Sequence, residues 1–263
     1  MDYQMLVLDI DDTTIDSEGV LSEEVEQAIR QAMRKGVVVI LATGRSFASM
    51  EKFYHMIQPE SPVICYSGAQ VVAQDKTLML DRSVDGAQVL RVAKELGLHA
   101  HLYDEDKILY EKENQYAADY CKYFGVKGIA DATLLEKENL RSPKALFSLE
   151  PDCVETYIPI IQKLLPDNVI RTSRTGFIEV HAKNASKGDA LKFLIETMGI
   201  DPEQVIAIGD SEIDESMIEF AGLGLAVENA TEAVKAVADE VVPSNDENGV
   251  AVAIKRYILE EAV

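Results

Sequence analysis

Apolar positions along this chain alternate between two rhythms. Met5-Leu-Val-Leu-Asp9-Ile10 is a compact run without helical period, bounded by acids and threonines, which predicts a strand buried on both faces. After Ser22, the residues Val25, Ala28, Ile29, Ala32 and Met33 fall at helical spacing. Glu23 and Glu24 occupy the first turn, Arg34 and Lys35 the last, and Gly36 lies beyond, the charge order that a helix dipole favours. Val37 to Leu41 is a β-branched run ending at Ala42-Thr43-Gly44-Arg45. A helical pattern through Phe47, Met50, Phe53 and Tyr54 follows, then a short strand, Pro62 to Cys65.

Between about Asp81 and Lys183 the pattern changes. Leu98 to Tyr110, Lys144 to Leu149 and Val169 to Val180 read as strands, the last folded at Thr175-Gly176. Asp85 to Gly97, Asn114 to Phe124 and Asp152 to Leu165 read as helices. The first rhythm then resumes with helix Ser186 to Met198, strand Val205 to Ile208, helix Asp214 to Ala221, and strands Leu223 to Val227 and Glu240 to Val242. The pattern predicts an α/β fold: a doubly wound, parallel-sheet, Rossmann-like core built from residues 1–81 and 184–263, with an inserted α+β domain over 82–183.

Composition narrows the function. The 25 Lys and Arg stand against 46 Asp and Glu, a formal net charge of −21, so the surface repels phosphate backbones and anionic lipid and a general nucleic-acid or membrane binder is not expected. The longest apolar run, Val37 to Ala42, is too short to span a bilayer, and no basic stretch precedes the first apolar segment. Cys65, Cys121 and Cys153 are odd in number and far apart, with no CxxC pair, which suits a reducing, cytoplasmic setting. His55, His99, His101 and His181 show no paired ligand spacing, so zinc is not expected.

Every candidate polar cluster follows a predicted strand: Asp9, Asp11 and Thr13 after the first, Thr43-Gly44 after the second, Ser67-Gly68 after the third, and Asp210 with Asp214 after Val205 to Ile208. Ligands of open α/β sheets bind outside the carboxyl ends of the strands, so these groups should converge on one crevice. Carboxylates crowded there must take up protons or hold a cation. An oxygen-only donor set with acids from separate strand ends suits Mg2+ better than a calcium cage.

These residues, taken together, resemble the haloacid dehalogenase superfamily of phosphotransferases, and within it the Cof-like sugar-phosphate phosphatases. Asp9-Ile-Asp11-Asp12-Thr13 is similar to the first motif, Leu41-Ala-Thr43-Gly44-Arg45 to the second, Lys187 at a helix start to the third, and Gly209-Asp210-Ser-Glu-Ile-Asp214 to the fourth; together they span nearly the whole chain. The insertion resembles that branch's cap domain, and the segments from Val227-Glu-Asn229-Ala230 to Asn245-Asp-Glu-Asn-Gly249-Val250 are similar as well. The resemblance implies a magnesium-dependent phosphatase acting on a small-molecule phosphate ester, sugar phosphates foremost. It implies Asp9 as nucleophile forming an aspartyl-phosphate, and Asp11 as the acid that protonates the leaving alcohol and then activates water. Thr43, the Gly44 amide and Lys187 would bind the phosphoryl group; Asp9, the Asp11 backbone carbonyl and Asp210 would hold the metal, with Asp214 in support. A phosphomutase and a phospho-aspartate signalling module are the alternatives. Three positions depart from the family's pattern: Asp12 stands for a glycine, Ser67 for an asparagine, and Ile213 for the asparagine that often precedes the last acid. In the insertion, Lys144, Arg171 and Arg174 are the candidate substrate-facing cations.

Overall fold

The computed structural model describes residues 3–172 and 175–260. Along the chain come β1 (Met5–Asp9), α1 (Glu23–Arg34), β2 (Val38–Ala42), α2 (Phe47–Ile57), β3 (Val63–Cys65), β4 (Gln70–Val72) and β5 (Leu78–Asp81). Next are β6 (Val84–Asp85), α3 (Gly86–Leu96), β7 (His99–Asp104), β8 (Lys107–Tyr110), α4 (Gln115–Phe124), β9 (Lys127–Ala130), β10 (Arg141–Ser142), β11 (Ala145–Ser148), α5 (Val154–Leu164), β12 (Asn168–Thr172) and β13 (Phe177–Ala182). The chain returns through α6 (Lys187–Met198), β14 (Val205–Gly209), α7 (Glu215–Phe220), β15 (Leu223–Val227), α8 (Glu232–Val237), β16 (Glu240–Val242) and α9 (Gly249–Ile254).

The structure divides into two compact units, Met1–Leu80 with Ser186–Val263, and Asp81–Ala185. In the first, one sheet runs in the order β16-β15-β14-β1-β2-β3-β4-β5. From β16 to β3 all neighbours are parallel, while β4 adds to β3 antiparallel, so the expected parallel sheet carries an antiparallel edge. β1 sits in the middle because every residue of Met5–Asp9 is buried and can be covered on both faces. On one side α1 packs with α2 and α9, on the other α7 packs with both α6 and α8, giving the doubly wound arrangement. Because β2 lies on one side of β1 and β14 on the other, the strand order reverses at β1, and the parallel alignment puts the carboxyl ends of all three strands at one edge.

Local sequence accounts for the caps. Ser22 accepts a hydrogen bond from the Val25 amide to start α1, Ser46 one from Ser49 to start α2, and Ser186 one from Asp189 to start α6.

The second unit is a six-stranded sheet, β12-β13-β11-β7-β8-β9, plus the short pair β10-β6. The span Leu98 to Tyr110, expected as one strand, breaks at Glu105, whose φ of +54° turns the chain into a hairpin between β7 and β8. Alternate residues of β7, β11 and β13, namely Ala100, Leu102, Phe147, Ile178 and Val180, form one apolar core with Val89, Leu90 and Ala93 of α3 and Ile161 of α5. Leu146 lies on the opposite face with Ala117 and Tyr120 of α4. No helix among the described residues is long and apolar enough to cross a membrane.

Candidate active site

The carboxyl ends of β1, β2 and β14 deliver Asp9, Thr43 and Asp210 to the same edge of the first unit, and α6 begins there with Lys187. Oxygens of Asp9, Asp210 and Asp214 lie within 4.8 Å of one another. Lys187, fully buried, directs its ammonium to both Asp9 and Asp214. Burial pushes the Asp9 carboxyl well above its ordinary pKa; Lys187 opposes that rise, and Asp214 and Asp210 add to it. Asp210 is raised to about 6, by burial first and then by Asp214. Burial disfavours charge on Lys187, but Asp214 and Asp9 outweigh it and hold its pKa above the ordinary lysine value. Three carboxylates with one cation leave a negative excess that a hard metal ion would neutralise.

Asp214 is fully engaged by the protein itself. One oxygen receives Lys187, and the other accepts from the Asp210 amide at 3.2 Å, the Ser211 amide at 3.0 Å and the Ser211 hydroxyl at 2.9 Å. This ties down the loop that presents Asp210. Gly209 makes the closure possible, since a Cβ there would lie 2.5 Å from that of Asp214. Thr13 donates to Asp210 at 2.8 Å, and Thr14 donates to the Asp9 carbonyl at 2.5 Å, bracing the turn after β1.

Asp11 is held differently. Its side chain is 45% exposed and is gripped through both oxygens by the Arg45 fork, the Nε contact measuring 2.8 Å. It stands apart from the Asp9, Asp210 and Asp214 group. Arg45 also lies over the Phe53 ring at 5.4 Å.

Two of the motif departures fall at left-handed backbone positions. Asp12 has φ +57° and Ser67 φ +55°, both in the left-handed region where glycine, asparagine and aspartate are the usual occupants. Asp12 therefore keeps the turn that glycine would make. The Ser67 amide donates to the Thr43 carbonyl at 2.9 Å, joining the second and third strand ends. A Cβ on Gly44 would meet only Ser67 Oγ at 3.4 Å and Ile213 Cδ1 at 3.8 Å, so packing does not demand glycine there.

A further brace comes from the C-terminal half. Asn229 donates to the Asp12 carbonyl at 2.7 Å and accepts from the Asn245 amide at 3.0 Å, and Asn245 donates to the Ile15 carbonyl at 3.0 Å. These asparagines fix the loop that carries Asp11 and Asp12. The motif resemblance marked the segments without assigning them this task.

In the second unit, Lys144 pairs with Glu179 at 3.1 Å, its ammonium 4.8 Å from the Tyr103 ring centroid, while His181 bonds Glu179 at 2.8 Å. Burial raises the Glu179 pKa, but Lys144 and His181 outweigh it and leave it below the usual carboxylate range. Arg171 stands opposite Glu179 in the β12–β13 register and is exposed. Arg174 lies outside the described residues.

A family model described as haloacid dehalogenase-like hydrolase matches residues 6–254. The chain belongs to that family. It is 29% identical over 262 residues to the 5-amino-6-(5-phospho-D-ribitylamino)uracil phosphatase YcsE of Bacillus subtilis, a match spanning 98% of this chain and 97% of that protein. It is 30% identical over 254 residues to a phosphoglycolate phosphatase of Methanothermobacter thermautotrophicus, spanning 96% and 98%. The crystal structure of a haloacid dehalogenase-like hydrolase from Bacteroides thetaiotaomicron superposes with a TM-score of 0.84 at 27% identity, covering 97% of this chain and 99% of that one. The protein is thus a hydrolase of phosphatase type, and it carries a cluster of three acids, Asp9, Asp210 and Asp214, at the carboxyl edge of its sheet.

Proposed function

We propose that this haloacid dehalogenase-like hydrolase is a magnesium-dependent phosphatase of small phosphorylated metabolites, sugar phosphates foremost, working through an aspartyl-phosphate on Asp9. The observation that carries the reading is the buried Lys187 shared by Asp9 and Asp214 at the carboxyl edge of the sheet, with Asp210 alongside. Both relatives described above bear names of phosphatases for small polar phosphate esters, one with a ribityl chain.

The donor set fits a hard divalent ion. It contains only oxygens, burial and then the neighbouring acids hold Asp9 and Asp210 above the ordinary carboxylate range, and the two oxygens of Asp214 are already taken. Asp9, the Asp11 carbonyl and Asp210 would therefore hold Mg2+, with Asp214 supporting the loop. The ion would screen the nucleophile from the incoming phosphate and offset charge on the transferring group.

In this reading an Asp9 carboxylate oxygen attacks phosphorus, the bond from phosphorus to the leaving oxygen breaks, and Asp11 transfers its proton to that oxygen. Asp11 then accepts a proton from water as the water oxygen attacks phosphorus, and the phosphorus–Asp9 bond breaks to release phosphate. Lys187, Thr43 and the Gly44 amide bind the equatorial oxygens, where charge accumulates. Arg45 sets the direction of the Asp11 carboxyl. Residues 82–183 act as a cap that selects the leaving group, and the free thiols Cys65, Cys121 and Cys153 accord with a cytoplasmic setting.

Phosphate release from a panel of sugar phosphates, nucleotides and aryl phosphates, with Mg2+ and with chelator, tests the proposal. Magnesium-dependent turnover of sugar phosphates is expected. Absence of hydrolysis across the panel, or turnover unaffected by chelator, overturns it.

A further inference from the structure

Among the described residues, two buried side-chain polar atoms have no hydrogen-bond partner, Ser148 Oγ and His101 Nε2. Both belong to one place in the second unit, the sheet face beneath α4. Ser148 is 2% exposed. In the sheet register it stands between His99 of β7 and Phe177 of β13, two residues from Leu146, so it shares the face that α4 covers. His101 lies under Tyr120, ring centroids 4.3 Å apart. Burying a hydroxyl without a partner costs about 1–3 kcal/mol, a cost that natural proteins commonly offset with a bound water, an ion or a ligand.

Ser148 lines a cavity of about 640 Å³, within the usual size range of small-molecule sites. Its walls are aromatic: Tyr116, Tyr120 and Tyr123 from successive turns of α4, and Phe177 from β13. The Tyr116 hydroxyl is already bonded to Glu150 at 3.0 Å and the Tyr120 hydroxyl to Tyr103 at 2.6 Å, so these residues offer ring faces more than polar groups. Asp119 and Lys122 stand at the rim with opposite charges.

We propose that this aromatic cleft on the second unit is a binding site for a small, neutral, planar heterocycle whose hydrogen-bonding edge meets Ser148 Oγ. Aromatic walls favour a flat π-surface by stacking. The orphan hydroxyl requires a polar edge, which a quaternary ammonium lacks although it too would suit the rings. The rim charges cancel and the protein's net charge of −21 disfavours an anion, which leaves a neutral ring system. The site stands independently of the phosphatase reading, and its test reads binding, not turnover.

Isothermal titration of the 263-residue chain with hypoxanthine, with tetramethylammonium and myo-inositol as comparison ligands, tests the assignment. Saturable binding of hypoxanthine alone is expected. Ser148→Ala should weaken it about 3- to 10-fold, the worth of one hydrogen bond, while leaving the melting temperature unchanged or higher because the lost hydroxyl has no partner in the free protein. Tyr123 is 70% exposed, so Tyr123→Ala should fold normally and weaken binding about 2- to 10-fold by loss of a stacking face. Titration with inosine, which is neutral, separates two sources of the ring: tighter binding than hypoxanthine assigns the base of a nucleoside, and weaker binding assigns a free heterocycle. Absence of hypoxanthine binding at millimolar concentration, an affinity indifferent to Ser148→Ala and Tyr123→Ala, or equal binding of tetramethylammonium overturns the proposal.

Discussion

Replacing Lys187 by methionine keeps the aliphatic stem and deletes the ammonium that Asp9 and Asp214 share. All three side chains are almost wholly inside the protein, with exposures of 0%, 5% and 0% for Lys187, Asp9 and Asp214. Removing one partner of a buried ion pair costs about 3–5 kcal/mol, because the remaining charge stays desolvated. Here two carboxylates lose their cation and a third acid, Asp210, is close, so the upper part of that range applies. For a chain of this size, each 1 kcal/mol lowers the melting temperature by roughly 2–4 °C, giving a drop of about 10–15 °C for Lys187→Met in chelator at pH 8. The loss should depend on pH with a definite sign. Burial already holds the Asp9 pKa above its ordinary value, and without Lys187 it rises further. A carboxyl whose folded pKa exceeds its unfolded pKa favours the native state in acid and ceases to do so as pH rises through the folded value. The gap between variant and parent should therefore narrow between pH 8 and pH 5.5. Thermal melts followed by circular dichroism in chelator at the two pH values measure it. A gap under 3 °C at pH 8, or one that widens in acid, would refute the argument that Lys187 is the counter-ion of a buried acid cluster.

Other outcomes follow from the same geometry. Asp9→Asn should abolish turnover and leave the metal-free melting temperature equal or higher, since it removes one of several mutually repelling acids; activity assays and melts on the same preparation check both. Mg2+ should raise the melting temperature, and its apparent affinity should fall as pH drops through about 6, where a proton competes for Asp210; melts at graded Mg2+ from pH 5 to 8 read this directly. Arg45→Lys loses the two-pronged hold on Asp11, so kcat should fall while stability changes by less than about 1 kcal/mol, the pair being part-exposed. Lys144→Ala should lower kcat/KM for the preferred metabolite by about 1–3 kcal/mol yet spare a small aryl phosphate; equal loss on both would limit Lys144 to folding around Glu179.

The elements legible in sequence were those whose burial is unambiguous. Met5–Asp9 and Val205–Gly209 are covered on both faces and read as continuous apolar runs, and the capped helices α1 and α6 announce their starts through Ser22 and Ser186. Gln70–Val72, Leu78–Asp81 and Lys127–Ala130 carried no such signal, being three or four residues long and partly exposed, and the six-residue helices α8 and α9 are too short to display a period. At the site, strand ends pointed to the meeting of Asp9, Asp210 and Asp214, but not to Asp11 standing apart from them, nor to how each is held. The Arg45 fork on Asp11 and the Asn229 bond to Asp12 join residues 34 and 217 positions apart, and no local pattern encodes such a pairing. The left-handed turn at Asp12 was equally hidden, because aspartate announces a positive φ far less plainly than glycine does.

The central claim, that phosphate passes through Asp9, is tested most directly by trapping the phosphorylated protein. An Asp11→Asn variant, in which the second step lacks its base, is mixed with Mg2+ and a nitrophenyl phosphate that the parent hydrolyses, whose phenolate leaves without a proton from Asp11, then quenched in acid and analysed by intact and peptide mass spectrometry. The account predicts one added phosphoryl group, located on the peptide that carries Asp9 and absent from the Asp9→Asn, Asp11→Asn double variant. A phosphoryl group on any other residue, or parental turnover with no phosphorylated species detectable in the variant, would contradict it.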